Sequence, residues 1–153
     1  MRIEYINPFV DSAITILQAT VTNDVKRGEL TLRKNLTPML GLAILVGLTG
    51  QVTGRVILDL SSELGLKIAS IMNDEELTDF DELTSATLTE LANMIVGSAV
   101  TKLHEMGYKF DLTPPALFKG DNLILSDNKI ESLIVPLELL ESKIEINVAL
   151  KES

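Results

Sequence analysis

The sequence predicts an α+β domain in which a largely antiparallel sheet is packed by two main helices, with an internal pseudo-two-fold repeat. Three observations carry that prediction. Residues 8–20 and 81–106 show helical periodicity, two pairs of apolar strand-like runs are each closed by a turn, and a fourteen-residue segment recurs with seven of its fourteen positions identical. No linker or low-complexity stretch divides the 153 residues, so residues 1–153 are read as one domain.

The first helix is placed at residues 8–20, where Phe9, Ala13, Ile16 and Leu17 supply an apolar stripe. Asn7-Pro8 suits a helix entry, because proline fits the first turn and the residue before it is pushed out of helical geometry. Asn7 is therefore expected at or before the helix start, in a capping position. Residues 29–34 alternate as a strand does. The apolar run 40–48 turns at Thr49-Gly50-Gln51 into residues 52–60, a β-hairpin. Ser61-Ser62-Glu63 opens a short second helix to about Met72, with Leu64, Ile68 and Ile71 on one side. The acidic stretch 73–81 reads as a solvated connection and the start of the next helix. That helix runs to Met106 and stops at Gly107. Residues 109–112 form a short strand before Thr113-Pro114-Pro115, and Gly120-Asp121-Asn122 is a turn. Residues 133–140 and 143–150 make a second hairpin with its bend at Glu141-Ser142.

Composition narrows the chemistry. The chain is 46% hydrophobic and 23% charged, which is globular, and with 4% aromatics and no Trp its core must be aliphatic. A formal charge of −9, with only 13 Lys and Arg, argues against nucleic acid and anionic membranes as partners. Cysteine is absent, which removes disulfides, thiolate ligands and thiol nucleophiles together. His104 is the single histidine, so zinc sites and serine–histidine catalysis are poorly supported. The apolar run 39–48 is about half of a membrane span of roughly 20 residues. The first residues, Met1-Arg2-Ile3-Glu4, lack the apolar core of a secretory signal, and a cytoplasmic protein is expected.

Residues 4–17 (EYINPFVDSAITIL) align with residues 90–103 (ELANMIVGSAVTKL). The pairs Glu4/Glu90, Asn7/Asn93, Val10/Val96, Ser12/Ser98, Ala13/Ala99, Thr15/Thr101 and Leu17/Leu103 are identical. Two amphipathic helices share Ala, Val and Leu by coincidence, but here the polar matches fall in register with the apolar ones. A duplication follows, and its copies are unequal. Pro8 disturbs the first, and Asp11 stands where the second has Gly97.

At about 100° per residue, Leu88, Ala92, Ile95, Ala99, Leu103 and Met106 of the long helix share an inner stripe. Glu90 and Asn93 are neighbours on the opposite face, flanked by Ala86, Gly97 and Thr101. A helix-interior glycine costs roughly 1 kcal/mol relative to alanine, and a row of small residues lets another surface approach closely. Two readings are open at this point: Gly97 packs against a loop of its own domain, or the face receives a partner. Ala86, Met94, Gly97 and Thr101 are the partner-facing candidates, and Glu90 and Asn93 the catalytic ones.

A carboxylate and an amide have limited chemistry between them. The amide has no useful pKa and cannot serve as a general base, but it donates and accepts hydrogen bonds and so can orient a water. Phosphoryl transfer is the reaction in which such positioning carries most of the catalysis. This chain has no glycine-rich phosphate loop and no evident metal cage, so a partner has to supply both.

Glu90-Leu91-Ala92-Asn93-Met94-Ile95-Val96-Gly97, Asp111-Leu112-Thr113-Pro114-Pro115 and Gly120-Asp121-Asn122 together resemble the CheX branch of the CheC/CheX/FliY phosphatases, over nearly the whole chain. The resemblance implies a CheC-like fold and hydrolysis of the aspartyl phosphate of a CheY-like response regulator. It implies that Asn93 aligns the attacking water and Glu90 anchors the docked helix through a regulator lysine. It implies no cofactor of the chain's own, magnesium held by the regulator, and a homodimer paired through sheet edges. One active helix per chain fits the weakened copy at Glu4 and Asn7. One position departs: the family often has Ser or Asp four residues before the glutamate, and Ala86 stands there, between Ser85 and Thr87.

The remaining polar residues have structural readings. His104 lies eleven residues beyond Asn93, roughly 16 Å along a helix axis, too far to share a water with it. The acidic run 74–81 reads as solvated, Pro114-Pro115 as a strand stop, and Asp121 and Asn122 as turn residues. The rival function is a non-catalytic module that binds a response regulator or a flagellar switch partner through the same face.

Overall fold

A computed structural model describes residues 3–33, 38–125 and 131–152. A 3₁₀ turn, Ile3–Tyr5, runs directly into helix α1, Ile6–Thr20. Short strands β1 (Lys26–Arg27) and β2 (Thr31–Arg33) follow, then the hairpin β3 (Leu42–Gly50) and β4 (Val52–Leu60). Helix α2 (Ser62–Asn73) and the long helix α3 (Glu82–Glu105) come next. The chain closes with β5 (Phe110–Leu112), β6 (Ala116–Lys119), β7 (Ser132–Leu139) and β8 (Ser142–Glu152). The predicted α+β class and antiparallel sheet are observed.

The strand order is β1-β7-β8-β4-β3-β5, with β2 also on β7 and β6 also on β3, and every pair is antiparallel. Exchanging β1 with β5, β2 with β6, β3 with β7 and β4 with β8 reproduces the same order. The sheet therefore carries the internal two-fold, with β4 and β8 paired at its centre. Helices α1 and α3 pack against each other, and Ser12 Oγ donates to Ser98 Oγ at 3.1 Å. These two serines are equivalent in the repeated segment, so their contact marks where the pseudo-two-fold passes between the helices. The core is aliphatic, as the composition requires. Leu42, Ile44, Val46 and Leu48 of β3 and Ile144, Ile146, Val148 and Leu150 of β8 alternate inward beneath the helices.

Among the described residues, helix α2 has no counterpart in the second half, and it braces α3. A Cβ on Gly65 would meet Leu42 Cδ2 at 2.8 Å and Leu88 Cδ1 at 3.2 Å, so a glycine is needed for the close approach of α2. Asn73 Nδ2 donates to Thr87 Oγ1 at 2.8 Å, tying the end of α2 to the first part of α3.

Several expectations are corrected. Asn7 lies inside α1 rather than at a cap, and Tyr5 in the cap position makes no side-chain capping bond. The preceding 3₁₀ turn already sets a helical path, and Pro8 falls in the first turn, where its missing N–H has no partner to lose. Ile71 and Met106 are 42% and 51% exposed and do not belong to the core. Each sits at a helix end. The second hairpin turns at Leu140-Glu141, one residue early, with both in the left-handed region at φ 50° and 59°. Strands β1 and β6 were not anticipated, and Lys34, at the end of the predicted strand 29–34, lies outside the described residues.

Candidate functional site: the outer face of helix α3

Helix α3 begins where Asp81 accepts a hydrogen bond from Thr84 N at 3.0 Å, an N-cap that holds the Asp81 carboxyl below its ordinary pKa. It ends at Gly107, whose φ of +99° lets Tyr108 N–H reach back to Leu103 C=O at 3.0 Å. Between these stops, Leu88, Leu91, Ala92, Ile95, Val96, Ala99, Val100 and Leu103 are buried. They cover roughly half of the helix circumference, wider than the stripe predicted. A helix anchored on that much of its surface is a stiff support for whatever stands on the remainder.

Glu90 and Asn93 stand on that remainder, both exposed, with Ala86 and Thr101 exposed in the same row and Met94 and Gly97 half-buried at its margin. Among the described residues, neither the Glu90 nor the Asn93 side chain has a hydrogen-bond or ion-pair partner in this chain. A Cβ built on Gly97 would have nothing within 4 Å. The reading in which Gly97 packs against its own domain is therefore removed, and the helix presents open space one turn beyond Asn93. Thr101 Oγ1 donates back to Gly97 C=O at 3.0 Å, so its hydroxyl proton is already engaged within the helix.

His104 is exposed, and its Nε2 lies 3.2 Å from Phe110 C=O with the two rings edge to face at 5.4 Å. It fastens the end of α3 to β5 and is not grouped with Glu90 and Asn93. Thr113, before the two prolines, is tied to β3: Gly47 N–H donates to its Oγ1 at 2.8 Å. That bond fixes the loop following β5.

The first copy of the motif is placed differently. Glu4, Asn7 and Asp11 are exposed along the outer side of α1, as their alignment with Glu90, Asn93 and Gly97 requires. Each is engaged by another side chain of the same molecule. Tyr108 Oη donates to Glu4 at 3.2 Å, Arg27 Nη2 donates to Asn7 Oδ1 at 3.1 Å, and Arg27 Nη1 lies 3.9 Å from Asp11. Sequence reasoning did not find Arg27 or Tyr108. They stand 20 and 104 residues from their partners, and no local pattern marks them.

A family described as Chemotaxis phosphatase CheX matches residues 42–138 of the chain. A protein of Thermotoga maritima named CheY-P phosphatase CheX is 30% identical over 140 residues, covering 91% of this chain and 87% of its own. The CheX of a CheX-CheY-BeF3-Mg+2 complex from Borrelia burgdorferi is 40% identical, with a TM-score of 0.85 over 99% of this chain and 100% of its own. A CheC-like superfamily protein of Shewanella sp. PV-4 is 27% identical, with a TM-score of 0.89 over 99% of both chains.

Proposed function

This chain belongs to the CheX family of chemotaxis phosphatases, and from that premise we propose that it hydrolyses the aspartyl phosphate of a CheY-like receiver domain, using Asn93 and Glu90. The observation that carries the assignment of residues is the open outer face of α3. A carboxylate and an amide stand there without partners of their own, beside a glycine over which another surface can close.

The chemistry follows from what an amide does. Docking brings the Asn93 side chain beside the receiver's phosphoryl group, where its oxygen accepts from a water and holds that water in line. The water oxygen attacks phosphorus and the bond from phosphorus to the aspartyl oxygen breaks. Aspartate leaves as a carboxylate, inorganic phosphate forms, and the water's proton passes to that phosphate or to solvent, because the amide cannot take it. Magnesium belongs to the receiver in this reading, where it offsets charge on the phosphoryl oxygens. Glu90 holds the docked helix in register by pairing with a cation on the receiver. Ala86, Met94, Gly97 and Thr101 form the contact surface around the pair.

We also propose a cytoplasmic location, where its receiver would be, and a homodimer joined through sheet edges. Sedimentation at micromolar concentration tests the dimer. Among the described residues, no helix is long and apolar enough to cross a membrane.

The test of function is the decay of a phosphorylated CheY-like receiver in the presence of magnesium, with and without this protein. Faster phosphate release supports the phosphatase. Binding with unchanged release would instead favour the non-catalytic module.

A further inference from the structure

We infer that Arg27 is a resident plug that keeps the α1 face closed to a receiver. The inference rests on the reading of α3 as the docking face.

The α1 face keeps the parts of a docking face. Glu4, Asn7 and Asp11 are exposed in one row, and the 3₁₀ turn that carries Glu4 joins α1 without a break. What differs is the guanidinium laid across it. Arg27 spans the turn between Asn7 and Asp11, the stretch that stands open between Asn93 and Gly97 on α3. It takes the amide oxygen of Asn7, the atom that a water would otherwise use.

The plug is built into the sheet. Arg27 lies in β1, paired opposite Leu137, and the next residue, Gly28, donates its N–H to Pro136 C=O at 2.8 Å. Gly28 packs so closely that a Cβ there would meet Pro136 Cγ at 2.6 Å. The symmetric bond in the other half is Thr113 N–H to Gly47 C=O at 2.9 Å. Matching Gly28 with Thr113 makes Leu112 the counterpart of Arg27. Leucine has nothing to donate to an amide, so the α3 face carries no equivalent plug.

Asp11 adds a second obstacle that Arg27 conceals. It puts a carboxylate one turn from Asn7, where a phosphorylated partner would bring further negative charge. Removing Arg27 alone leaves that carboxylate uncompensated, and removing Asp11 alone leaves Arg27 on the amide. Only the pair of changes clears the Asn7–Asp11 turn as the Asn93–Gly97 turn is clear, with Glu4 still held by Tyr108, so their effects are non-additive.

Two measurements test this. Titration with a beryllofluoride-activated CheY-like receiver and magnesium should give one receiver per wild-type chain and two per chain carrying Asp11→Gly and Arg27→Leu. In an Asn93→Ala background, the same two substitutions together should restore phosphoreceiver decay by about tenfold, a part of what a positioned polar group contributes. Either alone should restore nothing. All three positions are exposed, and circular dichroism checks that the variants fold. Two receivers on the wild-type chain, or no second receiver and no recovery in the folded triple variant, would overturn the plug. An inactive wild type would sink the catalytic reading, and the wild-type titration would still decide the plug.

Discussion

Two helices of this molecule carry the same glutamate and asparagine at the same spacing, and they present them to different surroundings. On α3, Glu90 and Asn93 stand in the middle of a 24-residue helix, unpartnered, beside an open Gly97. At the start of α1, Glu4 in the preceding 3₁₀ turn and Asn7 in the first turn of the helix are held by Tyr108 and Arg27. A motif is therefore only half of a site. The other half is what the rest of the chain leaves open around it, and residues far away in sequence decide that.

Substitution can press on this contrast, most strongly at the two asparagines. Asn93→Ala should lower kcat/KM for phosphoreceiver hydrolysis by roughly 10²–10³, while Asn7→Ala should stay within about twofold of wild type. Equal losses would mean that both faces are at work. Glu90→Ala should raise KM by about tenfold and spare kcat, the pattern of a lost docking contact. Gly97→Asp gives α3 the residue that α1 has. It should weaken receiver binding by a few-fold to about tenfold through repulsion and added bulk, as titration calorimetry would show. The smallest effect is on stability. Gly97→Ala fills empty space, so it should stabilise the helix by about 0.5–1 kcal/mol and raise Tm by about 1–4 °C. It should also impair docking slightly. A variant that gains both stability and activity would show that close approach at residue 97 is not used.

Much of this arrangement is legible in the sequence, for identifiable reasons. The limits of α3 are written in Asp81 and Gly107, and its outward row follows from helical periodicity once Leu88, Ala92, Ile95, Ala99 and Leu103 fix the inner side. The two hairpins are legible because long alternating strands meet at short turns. The two-residue β1 and four-residue β6 are too short to show a period. Ile71 and Met106 have the right phase for the core, yet each stands at a helix end. Periodicity gives direction, and it does not say where the neighbouring layer stops. Pro8 favours a cap position for Asn7, and the 3₁₀ turn before it overrides that local preference. The engagement of Asn7 by Arg27 depends on β1 pairing with β7, a contact between opposite ends of the chain.

The central claim is that the Asn93 amide acts on the bound phosphoryl group and not on docking itself. Steady-state hydrolysis over a range of phosphoreceiver concentrations, for wild type and Asn93→Ala, separates the two. The account predicts that kcat collapses while KM stays nearly constant. A variant that keeps its kcat and loses only affinity would contradict it.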